Sequence, residues 1–566
     1  MTFRKLLLLV SLLYTAQALA KPAVPTPHQN AIASGHFLAT DAGHEILARG
    51  GNAFDAAIAV SATLSVVEPI SSGIGGGGLF LLRQAGTGRE VMIDARETAP
   101  HSATPDKYLD ATGQLDRDKS VNGPMSAGIP GLPAALVHLA KNYGRLPLSQ
   151  SLAPAIRIAR GGFEIYPRLE TGYSQRADVM ARYTGSRGVY LADGDPPQTG
   201  EILIQEDLAR TLELIAEKGF DGFYRGETAQ EMLSDVAKYG GNWNAADLAG
   251  YKVVERTPMV IEYNGWRITT APPPSSGGVA IAQMLNILQP WDLRKMPPVL
   301  RTHLITEAMR RAYRDRSLYL GDPDFITIPL DRLVSKNYAA GLRASINPDK
   351  AMPSSLLPGQ LAPGEDDETT HFSIIDSAGN RVSATQTVNL YYGSGMVVEG
   401  GGFLLNNEMD DFALKAGTPN AFGVMGYAAN LVAPGKRMLS SMTPSYMDNS
   451  GKTVVLGTPG GSRIITMVLL GMLAADAGLD AQAITALPRF HHQYLPDKLF
   501  AEPGAFDAPL IQGLTDLGHT VEVAKSPWGN MQTVIWDKQS NTLSAGSDPR
   551  NEVGLGKVVE AGKVKP

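Results

Sequence analysis

Cysteine is absent from all 566 residues. That excludes thiol catalysis, cysteine-ligated zinc and disulfides, and leaves core packing alone to hold the chain together. No long basic run occurs and the formal net charge is −6, so nucleic acid is not an expected partner. The glycine cluster from Gly73 to Gly78 has no Gly-Lys-Ser/Thr after it and lies between a predicted helix and a predicted strand. Both facts argue against a nucleotide loop and for a tight passage of backbone past a pocket. No Gly-x-Ser-x-Gly elbow and no Ser-x-x-Lys surrounds Ser440 and Ser441, which makes these serines donors rather than nucleophiles. The acidic run Asn406 to Phe412 lacks the spacing and the glycine of a calcium loop. His491 and His492 are adjacent, so on a strand they face opposite ways, and no third ligand is near in sequence. No metal and no cofactor is expected. Internal repeats are absent too.

What is present is a chain 43% hydrophobic and 19% charged, globular and able to bury a large core. Arg4 and Lys5, the apolar run Leu6 to Leu13 and the small residues Ala18 to Ala20 form a secretory signal over residues 1–20. The apolar run is too short to span a bilayer. An exported, periplasmic or secreted protein without a membrane anchor is expected. A mixed α/β block then runs to about Asn347. It has a short helix over Gly43 to Arg49, a buried helix over Ala53 to Val67 and a hairpin of Phe80 to Arg83 with Glu90 to Asp94. Amphipathic helices follow at Pro133 to Lys141, Leu152 to Ala159, Gln205 to Lys218 and Val299 to Tyr319. In the last, Arg310, Arg311, Arg314 and Arg316 are expected to cover a solvated face or pair with acids. A linker rich in proline, glycine and acid (about 348–368) separates this block from a second one, residues 369–566, that alternates strands and loops around a helix over Ile464 to Ala474.

Thr369, Thr370 and His371 stand where that linker gives way to a strand. Threonine favours strands, so the triplet reads either as a plain strand start or as chemistry. If the Glu368–Thr369 bond were cut, the Thr369 hydroxyl would lie beside a free α-amine, a standard way to activate a weak nucleophile. Other parts admit two readings each. Gly460 and Gly461 open into the apolar helix at Ile464, either as an ordinary turn or as N–H donors for an oxyanion. Glu408, Asp410 and Asp411 form either a solvated loop or acceptors for an ammonium group. Arg96, at the end of a predicted strand, either bridges to Asp94 or Glu97 or clamps a carboxylate.

The segments Thr369 to Ser373, Asn406 to Phe412, Ser440 to Pro444, Gly460 to Arg463 and Pro488 to Gln493, in this order and spacing, resemble the γ-glutamyltransferase family. Gly50 to Ala56, Gly75 to Gly78, Asp94 to Glu97 and Leu320 to Phe325 agree, so the resemblance covers essentially the whole chain after the signal. It implies an N-terminal nucleophile hydrolase, an αββα four-layer sandwich. The precursor would cut itself between Glu368 and Thr369 into a large subunit (21–368) and a small one (369–566), interlocked as a heterodimer. The resemblance makes Thr369 the nucleophile of both self-cleavage and catalysis, Thr387 its orienting partner, and Gly460 and Gly461 the oxyanion donors. Arg96, Ser440 and Ser441 match the ligands of a substrate α-carboxylate; Asn389, Glu408 and Asp411 match those of its α-ammonium. Substrates would be γ-glutamyl compounds such as glutathione, with water, an amino acid or a dipeptide as acceptor. Thr370 and His371 would hold the new terminus in place.

Two departures stand out. Position 408 is Glu where some bacterial members carry Gln. Phe422 stands in the lid segment 413–426 where some carry tyrosine, which keeps an aromatic cover and loses a phenol hydroxyl. Two alternatives are a glutaryl-cephalosporin acylase of the same superfamily and a secreted binding protein that never matures.

Overall fold

The computed structural model describes residues 26–191, 194–356 and 369–562. The signal segment 1–20 and Glu368, with the linker from 357 on, lie outside the described residues. Two antiparallel sheets stack face to face. The first runs in the order Leu555–Glu560, Gln29–Ser34, Thr370–Ile375, Arg381–Thr387, Gly77–Arg83, Glu90–Ala95 and Val254–Arg256. The second runs Thr542–Ser547, Gln532–Asp537, Lys452–Gly457, Ser445–Asp448, Trp266–Thr270 and Met259–Tyr263. Both sheets contain strands from before and from after the linker, so the two blocks form one interlocked body.

Side chains alternate across a strand, and that alternation builds the layers. Phe80, Leu82, Ile93, Phe372 and Ile374 pack into a core shared with the helices Ala53–Val67 and Leu132–Asn142. The intervening Leu79, Leu81, Met92 and Ile375 belong to a second core with Tyr446, Val454 and Leu456 of the other sheet. Helices Gly277–Leu288, Pro298–Tyr319 and Ile464–Asp476 complete that side. The result is the expected αββα sandwich. Among the described residues no helix is long and apolar enough to cross a membrane.

Local sequence explains the element ends. Every residue of the helix Ala53–Val67 is buried, and Asn52 caps it. The Asn52 Oδ1 accepts from Phe54 N–H at 2.9 Å while Asp55 Oδ2 accepts from Asn52 N–H at 2.9 Å, a reciprocal cap worth about 1 kcal/mol. The first helix is longer than expected, Phe37–Ala48, because the His36 ring caps it by accepting from Leu38 N–H at 3.1 Å. The strand Arg381–Thr387 ends where it does because Asn389 turns into the left-handed region at φ 82°.

The basic helix is where expectation and structure differ most. Arg310, Arg311 and Arg316 are buried rather than solvated, because the helix is enclosed by its neighbours. Pairing with acids holds for three of the four. Glu307 lies 3.1 Å from Arg310 Nε and 2.6 Å from Arg311 Nη1, and Arg314 pairs with Asp315 at 2.8 Å. Arg316 has other partners.

Candidate active site

The hairpin sets the centre of the site. Its turn, Asp376 to Asn380, fixes a register in which Ile375 faces Arg381 and Thr370 faces Gln386. One step further places Thr369 opposite Thr387, on the same face as Ser383 and Thr385. That face of the strand is its hydroxyl row. Ser383 Oγ donates to the Leu456 carbonyl at 3.2 Å, His371 Nδ1 lies 2.8 Å from Thr385 Oγ1, and Ser373 Oγ donates to Gln532 O at 3.0 Å. Polar contacts thus tie the first sheet to the second, and the row ends at Thr387. The Thr369 hydroxyl donates to Thr387 Oγ1 at 3.3 Å, and Thr387 Oγ1 also accepts from Asn389 N–H at 2.7 Å. Burial pushes the His371 imidazole down to about 3, so it is a neutral anchor between the sheets.

The glycine cluster runs past this centre as closely as a backbone can. A Cβ on Gly76 would stand 2.0 Å from the Thr387 carbonyl oxygen, and one on Gly75 would stand 1.9 Å from Leu404 O. The loop after strand Lys452–Gly457 arrives at the same end, with Gly457 packed on the His371 ring. There Gly461 and Ser462 help line a narrow cleft with Thr369 and Thr387. Gly460, at φ 127°, lines an adjoining outer cleft with Arg168 and Trp528 instead.

Opposite charges converge on the cleft. Arg96 follows strand Glu90–Ala95 at the same sheet end and is 1% exposed. Its Nη1 lies 2.5 Å from Glu408 Oε2 and 3.4 Å from Glu97 Oε2, and its Nη2 pairs with Asp411. Of the two partners expected for a lone Arg96, Glu97 is the real one. Asp94 pairs with Arg256 at 2.7 Å. Burial opposes the charge on Arg96, but Glu408, Asp411 and Glu97 hold it above the usual guanidinium range. Burial raises the Glu408 carboxyl well above its ordinary range, with Glu97 and Asp411 adding to it and Arg96 opposing.

The acidic turn Glu408–Asp411 splits its carboxylates. Glu408 and Asp411 face the cleft, whereas Asp410 turns away to accept from Ser120 Oγ at 2.8 Å and Ala421 N–H at 2.6 Å. Asp410 therefore ties down the segment 413–426 at Ala421. Asn420 Nδ2 donates to Asp411 Oδ1 at 3.2 Å, and the Phe422 carbonyl accepts from Gln493 Nε2 at 3.1 Å. Phe422 and Val424 line the cleft. Asn389 lines it as well, its Nδ2 donating to Asn407 O at 2.9 Å. Ser440 and Ser441 form the remaining wall, beside Met442.

The cleft thus gathers Thr369, Thr387, Gly461, Arg96, Asn389, Glu408, Asp411, Ser440, Ser441 and Phe422 of the residues singled out from sequence. It adds Arg316 and Ser462, which sequence reasoning did not assign to it. The only hint for Arg316 was an arginine interleaved among apolar positions of a helix. His491 and His492 do diverge: His491 lies 2.8 Å from Thr466 Oγ1, His492 3.2 Å from Asp497. Burial pushes both imidazoles down, to about 3 and about 4. Among the described residues, ligand-type atoms suited to a metal gather at His303, Glu307 and His519. These are already engaged: His303 Nδ1 lies 2.8 Å from His519 Nε2, and Glu307 is held by two arginines.

A threonine hydroxyl at a strand start, an N–H-bearing glycine loop and a pocket with two arginines and two acids can carry acyl transfer from a zwitterionic acyl group. Known proteins point the same way. The glutathione hydrolase proenzyme of Escherichia coli is 42% identical over 529 residues, covering 92% of this chain and 90% of that one. The crystal structure of a cephalosporin acylase from Bacillus halodurans superposes with a TM-score of 0.83 at 29% identity, covering 95% of this chain and 97% of that one. That of Helicobacter pylori γ-glutamyltranspeptidase gives 0.56 at 39% identity, covering 58% of this chain and 96% of that one. The γ-glutamyltranspeptidase family profile matches residues 39–557, and with the nucleophile, glycine loop and charged pocket in one cleft, the chain belongs to that family.

Proposed function

We propose that this protein is an exported, self-processing γ-glutamyltransferase with glutathione hydrolase activity. Cleavage between Glu368 and Thr369 gives a large subunit (21–368) and a small one (369–566). The observation that carries the reading is the cross-strand pair of Thr369 and Thr387 facing a pocket lined by Arg96 and its ion-pair partners Glu408 and Asp411.

Once freed, the Thr369 α-amine, with a reference pKa of about 7.7–8.0, takes the hydroxyl proton as Oγ1 attacks the γ-carbonyl carbon of the substrate. The N–H groups of Gly460 and Gly461 receive the developing oxyanion. Collapse breaks the γ-amide bond, and the leaving amine departs with the proton that the α-amine had taken. A γ-glutamyl ester on Thr369 remains. Water, or the amino group of an amino acid or dipeptide, then attacks the ester; the α-amine takes its proton and returns one to Thr369 Oγ1. Arg96, Ser440 and Ser441 hold the α-carboxylate, and Asn389, Glu408 and Asp411 the α-ammonium. Without substrate, Arg96 and the acids neutralise one another, so a zwitterionic head exchanges one internal ion-pair set for two external ones. A glutaryl group has no ammonium to offer the acids, which favours γ-glutamyl substrates over the acylase reaction. Phe422 covers the bound acyl group.

Denaturing gels and N-terminal sequencing of the purified protein test this. Two bands are expected, beginning at Lys21 and Thr369, and Thr369→Ala should leave a single inactive chain. A Thr369→Ala protein that still cleaves would sink the assignment, as would faster turnover of glutaryl than of γ-glutamyl p-nitroanilide.

A further inference from the structure

We infer that Arg316 is a positioning residue for the carboxylate side of the pocket, acting through the hydroxyl of Ser441; this rests on the γ-glutamyl reading above. Arg316 lies in the last turn of helix Pro298–Tyr319 and is 7% exposed. Its Nη2 donates to Ser441 Oγ at 3.0 Å and its Nε to Ser276 Oγ at 2.9 Å. Ser276 in turn donates twice to the Ser440 carbonyl, from N–H at 2.7 Å and from Oγ at 2.8 Å. One guanidinium thereby holds both serines of the turn, Ser441 directly and Ser440 through Ser276.

The chemistry of the donors fixes the direction of these bonds. A guanidinium has no acceptor, so Ser441 Oγ must accept from it and must aim its own proton elsewhere. Ser440 Oγ likewise accepts, from Met442 N–H at 3.0 Å. Neither serine proton meets a protein acceptor among the described residues, and both side chains line the cleft. Both hydroxyls are set to donate into it, which suits an incoming carboxylate and repels nothing it carries.

The charge points to the same ligand. Among the described residues no carboxylate stands within ion-pair distance of Arg316, whereas Arg310, Arg311 and Arg314 all have one. Asp411 acts on it only through its field. A buried cation left with neutral oxygens is costly, and the cost is recovered when a substrate carboxylate arrives beside Ser441. Arg316 thus selects acyl groups that bear an α-carboxylate.

The test compares two substrates of the mature enzyme: L-γ-glutamyl p-nitroanilide, and 4-aminobutyryl p-nitroanilide, which keeps the amine and lacks the carboxylate. Arg316→Gln should lower kcat/KM for the first by roughly tenfold to a hundredfold, mostly through KM, as expected for loss of hydrogen bonds to a charged group. It should change the second by less than about threefold by the same reasoning. Arg316→Lys, which keeps the charge without the fork, should fall between, and it carries the comparison alone should the Gln variant fail to mature. In a double-mutant cycle, Arg316→Gln should add less in a Ser441→Ala background than in the wild type. Equal losses on both substrates, or losses that simply multiply in the cycle, would overturn the role of Arg316. A wild-type enzyme indifferent to the α-carboxylate would instead overturn the γ-glutamyl reading itself.

Discussion

Thr387→Val changes one hydroxyl to a methyl at nearly constant volume, which makes it a clean probe of the catalytic centre. Among the described residues the lost oxygen accepts two hydrogen bonds. It accepts from Asn389 N–H at 2.7 Å and from the Thr369 hydroxyl at 3.3 Å. Asn389 is buried at 3% exposure, so its N–H would be left unsatisfied at a cost of about 1–3 kcal/mol. That N–H is also one of two tethers keeping Asn389 at φ 82°, the other being Asn389 Nδ2 to Asn407 O. Relaxation of Asn389 toward ordinary φ would pull its side chain from the ammonium side of the pocket. Thr369 would lose its hydrogen bond across the strands to Thr387. At about 1.4 kcal/mol per factor of ten, the combined loss is roughly tenfold to a hundredfold in kcat/KM, with slower conversion of precursor to two bands. Thr387→Ser should restore both to within a few-fold, since it keeps the oxygen. The assays are p-nitroaniline release and a gel time course after expression. A Thr387→Val enzyme that matures and turns over like the wild type would refute the reasoning, as would a serine variant no better than valine.

Glu97 supplies a pH prediction. Burial chiefly, against the pull of Arg96, pushes its carboxyl from the ordinary 4.5 up to about 7 in the folded protein. Its contribution to stability is therefore fully present below about pH 4.5 and is lost as pH rises through about 7, a change on the order of 3 kcal/mol. Thermal melts of Glu97→Gln should show a smaller fall in Tm between these pH values than wild type; parallel curves would contradict it. Gly76→Ala should fail to mature and lose roughly 3 kcal/mol or more, because its Cβ would meet backbone at 2.0 Å. Gly86→Ala, where nothing lies within 4 Å, is the control and should melt with the wild type.

Much of this was written in local pattern. The hairpin around Asp376 to Asn380 counts out its own register, so the opposition of Thr369 and Thr387 follows from turn position and the two-residue period of a strand. The alternation of apolar and hydroxyl residues from Arg381 to Thr387 marks one face for the helices and the other for the second sheet. The helix Ala53–Val67, apolar all round and capped at Asn52, can only lie inside. Motif spacing across the chain carried the family, and through it the nucleophile and the pocket residues. Side-chain direction was another matter. Asp410 and Asp411 are neighbours of one chemistry, yet one binds Ser120 and Ala421 and the other faces the cleft, because a single turn of tight helix sends successive side chains to different sides. Arg316 sits two residues beyond Arg314, which pairs with acid, and it reaches Ser441 because its helix packs against Gly277–Leu288. By itself the sequence determined the elements, the hairpin register and the family, since these follow from short-range periodicity and order along the chain. The tertiary structure decided which of several like-charged groups face the pocket and what each one touches, since those depend on the packing of elements far apart in sequence.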